Sequence, residues 1–151
     1  MPKIIISDTS CLIILTNIGE LDLLRRLYGQ VLTTPEVAAE FSEMLPEWIE
    51  INAPTDKYRQ KILELQIDKG EASAIALALE ISDSIIILDD QKARKVAEKL
   101  GLEITGTIGV IIKAKLQGII PSIKPVLAKI RKTDFRLSVE IEREALKEAG
   151  E

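Results

Sequence analysis

The chain has 151 residues, 46% of them apolar, enough for one domain, residues 1–151, to bury a substantial core. It holds no histidine, one cysteine and a net charge of −4. Those counts exclude imidazole acid–base catalysis, Ser-His-Asp hydrolysis, an internal disulfide and most zinc sites.

The first strand is predicted at 3–7, where Ile4, Ile5 and Ile6 form a β-branched run, and Asp8 stands at its end. A helical pattern over 10–27 follows, with Leu12, Leu15, Ile18, Leu23, Leu24 and Leu27 on its apolar side. Asn17 and Gly19 weaken its middle, and Gly29 ends it. A short strand at 31–33 leads to Thr34 as N-cap and Pro35 at the first helical position. This helix, 35–44, carries a stripe of Val37, Phe41 and Met44, with Glu40 on or beside it and Glu36 and Glu43 toward solvent. Pro46 stops it; 48–51 reads as a short edge strand and 56–66 as a helix.

Asp68-Lys69-Gly70-Glu71 punctuates the chain before a helix over 71–82 whose small residues permit close packing. Residues 85–88 form the strongest strand signal, and it too ends in acid, Asp89-Asp90. The helix 91–100 places Val96, Ala97 and Leu100 inward, and Gly101 caps it. A last short strand is expected at 102–105. Helices follow at 108–117, from Pro121 to 132, and at 138–148.

Alternating strands and helices imply an α/β sandwich around a mainly parallel sheet of four to five strands. Ligands bind such sheets beyond the carboxyl ends of the strands. Asp8 and the pair Asp89/Asp90 stand at two such ends. The helix from Glu71 runs about 18 Å away at ~1.5 Å per residue, and the next strand returns about 16 Å at ~3.3 Å per residue. Glu71 therefore comes back to the level of Asp89, and Glu40 lies little more than a turn inside a helix that begins on the same edge.

Carboxylates converging on one rim repel, so they hold protons or cations. An all-oxygen set suits hard ions, Mg²⁺ or Mn²⁺, which lower the pKa of bound water and support in-line phosphoryl chemistry. Each acid also has a plainer role. Asp8 can cap the helix near Ser10, Glu71 can complement a helix dipole, Glu40 can be solvated, and Asp89 or Asp90 can cap the helix at 91. Ser10 is a helix-start residue that could also hold a metal-bound water. Cys11 reads as core. A phosphotransfer receiver fits poorly, because Ile6-Ser7 precedes Asp8 and Thr105-Gly106 stands at the last strand. No Gly-x-Gly-x-x-Gly or Walker-type loop follows the first strand.

Asp8-Thr9-Ser10 after an apolar strand, Pro35 to Glu40, Gly70-Glu71 before an alanine-rich helix, and Leu88-Asp89-Asp90 with Ala93-Arg94 form an ordered set. That set resembles PIN-domain proteins, most closely a VapC-like branch. The likeness extends to Gly106-Thr107-Ile108-Gly109 and Asp134-Phe135-Arg136-Leu137-Ser138. It implies a three-layer α/β/α sandwich and a Mg²⁺- or Mn²⁺-dependent ribonuclease selective for single strands. It also implies the toxin of a toxin–antitoxin pair and a homodimer. Asp8, Glu40, Glu71 and Asp90 match the four acids, and Ser10 the hydroxyl position. Glu71 stands where aspartate is usual and Leu88 where threonine is usual, and Asp89 could substitute for or assist Asp90. The alternative is a catalytically weak PIN fold that binds RNA or protein.

The charge distribution adds an RNA side. Residues 91–136 carry eleven Lys/Arg and three acids, +8, which leaves −12 for the rest. Lys92, Arg94, Lys95 and Lys113 from this segment are the expected phosphate contacts, although solvated helix faces would give the same pattern. A lone cysteine, a chain start without signal-peptide character and apolar runs too short to cross a bilayer suit a cytoplasmic protein.

Overall fold

A computed structural model describes residues 3–151. Its sheet has five strands, all parallel: β1 (Ile4–Ser7), β2 (Gln30–Thr33), β3 (Ile49–Ile51), β4 (Ser84–Ile87) and β5 (Ile104–Thr105), in the order β3-β2-β1-β4-β5. Helices cover both faces, giving the expected three-layer α/β/α sandwich. They are α1 (Thr9–Asn17), α2 (Asp22–Leu27), α3 (Pro35–Phe41), α4 (Lys57–Leu63), α5 (Lys69–Glu80), α6 (Gln91–Lys99), α7 (Thr107–Leu116), α8 (Lys124–Arg131) and α9 (Val139–Glu148).

Strand periodicity divides the core. Ile5, Val31, Ile85 and Ile87 point into a cluster shared with α1, α2, α3, α7, α8 and α9. Ile6, Leu32, Ile86 and Leu88 point into the other, filled by α5 and α6 with Leu63 from α4. The alanines of α5 do what their size predicts: Ala72, Ala74, Ala76 and Ala78 are buried, so the helix lies close on the sheet. Central strands buried on both faces explain why β1 and β4 read as unbroken apolar runs.

Several boundaries differ from expectation. The pattern over 10–27 is two helices, because Gly19 adopts φ +75 and turns the chain between them. Helix α3 stops at Phe41, where Ser42 takes a left-handed conformation (φ 57), and Met44 is 96% exposed instead of continuing the stripe. Glu36 is half-buried, and its carboxylate accepts from the Gln60 amide (2.7 Å). Leu100 is exposed, and Ala93 with Ala97 forms the buried face of α6. Helix α8 starts at Lys124 with Pro125 in its first turn; Pro121 precedes it in a bend.

Candidate functional site

Strand β1 lies between β2 and β4, so the chain changes direction across the sheet at its carboxyl end. Asp8 occupies that switch point, where crevices open in parallel sheets. Its extended backbone (φ −80, ψ 176) makes it the N-cap of α1, and Oδ1 accepts from the Cys11 amide (3.0 Å). Oδ2 accepts from the Asp89 amide across the sheet (3.3 Å). Asp8 therefore does cap the helix, and it does so from a place on the rim. Asp8 is only 3% exposed. Burial pushes its carboxyl up to about 8, and the charges of Asp89 and Glu71 push the same way against the two amides. The adjoining Cys11 is fully buried, and burial raises its thiol pKa well above the usual range, so it stays protonated core.

Glu71 comes from the first turn of α5, which Asp68 caps by accepting from its amide (2.9 Å). Partial burial raises Glu71 to about 7, with Asp68 and Asp90 adding repulsion. Glu40 is exposed on α3 and accepts from the Thr9 hydroxyl (3.0 Å). Gly70 makes this possible, because a Cβ there would occupy the place of Glu40 Oε1. A chain of hydroxyls fixes the two helix starts relative to each other. Thr34 Oγ1 and Ser73 Oγ are 2.6 Å apart, and Ser73 donates to the Gly70 carbonyl (2.7 Å).

A cleft of about 490 Å³ brings Asp8, Ser10, Glu40 and Glu71 together, with Asp68 beside them. The two aspartates after β4 are held otherwise. Asp89 spends both oxygens on Thr107, accepting from its amide (2.9 Å) and its hydroxyl (2.6 Å). Asp90 caps α6 by accepting from the Ala93 amide (3.0 Å). Neither lines the cleft, although Asp89 acts electrostatically on Asp8 and Asp90 on Glu71. Among the described residues, no three acids form a ready-made metal cage. The donor set itself is compatible with a hard cation, being oxygen throughout and carrying two carboxyls held short of full charge by crowding and burial.

The expected basic residues stand outside the cleft. Lys92 and Lys95 are exposed on α6. Arg94 donates to the Leu88 carbonyl (2.8 Å), and Gly106 leaves room for that guanidinium. Lys113 lies over the Tyr28 ring, 4.5 Å from its centroid, in the last turn of α7. Sequence reasoning missed the parts played by Thr9, Asp68 and Thr107. Asp68 had a readable signal, an acid three residues before Glu71 at a helix start. The other two depend on contacts between distant segments, as does the entry of Asp134, Phe135 and Arg136 into the cleft wall.

An all-parallel α/β/α sandwich with acids gathered at the carboxyl end of its sheet defines a class of acid-rimmed proteins suited to cation-assisted chemistry. The family model described as PIN domain matches residues 4–151, and the chain belongs to that family. PIN domains are generally nucleases that bind nucleic acid and use divalent metals. No curated protein and no solved structure matches the chain. Among the described residues, no helix is long and apolar enough to cross a membrane.

Proposed function

We propose that this protein is a Mg²⁺- or Mn²⁺-dependent endoribonuclease cleaving single-stranded RNA, the VapC-like toxin of a toxin–antitoxin pair. The observation that carries the reading is the meeting of Asp8 and Glu71 in one cleft, both raised toward neutral pKa, with Glu40 held beside them. Asp8, Glu71 and Asp90 would hold the ion, with Asp89 as the rival fourth acid. When bound, the ion supplies charge neutralisation at the phosphate and an acidified water. Glu40, anchored by Thr9, completes the ligand set or orients the attacking water, and Ser10 supplies a hydroxyl at the same floor. Lys92, Arg94, Lys95 and Lys113 would steer the RNA backbone electrostatically. A cytoplasmic homodimer and a small antitoxin partner belong to the same reading.

The test is cleavage of a panel of single-stranded and structured RNAs with Mg²⁺ or Mn²⁺, with EDTA, and with Asp8→Asn. Cleavage should need the metal and disappear in the variant; cleavage that survives both sinks the mechanism. The engagement of Asp89 with Thr107 and of Asp90 with Ala93 favours a second reading, a catalytically weak RNA- or protein-binding module. Calorimetric Mn²⁺ titration separates the two, since binding that is lost in Asp8→Asn counts against the weak module.

A further inference from the structure

We infer that the cleft seats one unstacked base of a single-stranded nucleic acid against Phe135 and Ile13, with Arg136 on the adjoining phosphate. The inference rests on the nuclease reading above and names what its substrate must offer.

The floor of the cleft is acidic, with Asp8, Glu40, Asp68 and Glu71, and Asp134 adds a fifth acid to its lining. A polyanion gains nothing from that floor without cations, so affinity needs another source. The apolar part of the lining supplies one. Ile13 is a large aliphatic residue left 40% exposed on α1, and it lines this cleft together with Phe135 and Arg136. The sequence has only two Phe, two Tyr and one Trp. Phe41 and Tyr28 are buried, Trp48 packs on the core with Arg25 over its ring, and Tyr58 is exposed away from the cleft on α4. Phe135 is thus the one aromatic lining the cleft among the described residues.

Phe135 is half-buried: it packs against the core and also lines the cleft. The Phe135 amide donates to the Thr133 hydroxyl (3.2 Å), and Thr133 donates to the Ile130 carbonyl (2.6 Å), so the turn after α8 fixes where the ring begins. An aromatic face beside an aliphatic one is the surface on which bases stack without regard to identity. A base inside a duplex is already stacked and paired, so this wall favours unpaired strands. Arg136, exposed and next in sequence to Phe135, is the one cation among the described residues lining the cleft, and its guanidinium is the group that would meet the phosphate flanking a seated base.

The test uses the full chain and an eight-nucleotide single strand carrying a terminal fluorophore, with binding read by anisotropy in EDTA and in Mn²⁺. A second series replaces each base in turn by an abasic site. Phe135→Ala should weaken single-strand binding roughly ten- to hundred-fold. One abasic position should cause a similar loss in the wild type and almost none in the variant. Phe135→Trp should retain binding and Phe135→Leu should not, which separates stacking from simple core filling; circular dichroism checks that each variant is folded. Equal affinity for a duplex and a single strand, or full additivity of the abasic and Phe135→Ala losses, overturns the proposal. Because the readout is binding, a wild type that couples Phe135 to one base yet cleaves nothing refutes the nuclease reading and leaves this one standing.

Discussion

Replacing Asp8 by asparagine in metal-free protein should change how stability depends on pH more than any other single change at the site. The native carboxyl is raised from 3.8 to about 8, chiefly by burial. Between those values the native state holds a proton that the unfolded chain has released, so stability falls as pH rises. The contribution is fully present below pH ~4 and is lost as pH passes through about 8. Each tenfold difference in proton affinity between the folded and unfolded chain is worth about 1.4 kcal/mol, which sets a ceiling of roughly 6 kcal/mol. Relaxation of the rim around the charge brings a measured change nearer 2–4 kcal/mol, by order of magnitude. Glu71, raised from 4.5 to about 7, works in the same direction over a narrower window and more weakly, because half of it meets solvent. Asparagine keeps one oxygen for either the Cys11 or the Asp89 amide and gives up the other bond, at a cost of about 1 kcal/mol that does not vary with pH. Urea unfolding at pH 5, 6, 7, 8 and 9 should therefore show a steep decline in the wild type and a shallow one in Asp8→Asn, with the variant the more stable protein at the alkaline end. Mn²⁺ should stabilise the wild type most at the alkaline end, where its ligands are charged, and leave the variant unmoved. Parallel slopes for the two proteins, or a wild type whose stability climbs from pH 5 to 8, would refute the reasoning.

Two further substitutions probe the supports of the site. Gly70→Ala places a methyl group where the Glu40 carboxylate sits, but that carboxylate ends a flexible exposed side chain that can swing away. Thermal unfolding should show no loss, or a gain up to about 1 kcal/mol from helix propensity, while RNA cleavage falls as far as in Glu40→Ala; matching activity to the wild type would remove Glu40 from the mechanism. Thr107→Val keeps the amide bond to Asp89 and deletes the buried hydroxyl one. It should lower the stability read from the urea midpoint by about 1–2 kcal/mol at unchanged slope, and an unchanged midpoint would mean that Asp89 does not depend on that hydroxyl.

The layers of the molecule were legible because the signals are local. Ile4 to Ile6 and Ile85 to Ile87 announce buried strands, and the alanines of α5 announce a helix pressed on a sheet. Asp8 was legible from its place at a strand end and Glu71 by arithmetic, since helix and strand lengths return it to the level of Asp89. What escaped notice depends on where distant pieces land. Met44 fits a helical stripe, and only the left-handed Ser42 shows that the helix has already ended. Asp89 and Asp90 look equivalent in sequence, yet one faces Thr107 and the other turns back onto its own helix. Phe135 lies in a segment with no periodic signal, and only tertiary packing brings it to the acids.

The bond from the Asp89 amide to Asp8 Oδ2 spans 81 residues of chain. At the usual pace of synthesis, about 5–20 residues per second, the second partner leaves the ribosome roughly 4–16 s after the first. Until then Asp8 ends a strand that has no neighbour on its β4 side. The acidic rim therefore cannot be completed on a partial chain, and the protein is built through an interval in which its first acid is already made while one of the two amides that hold it is not.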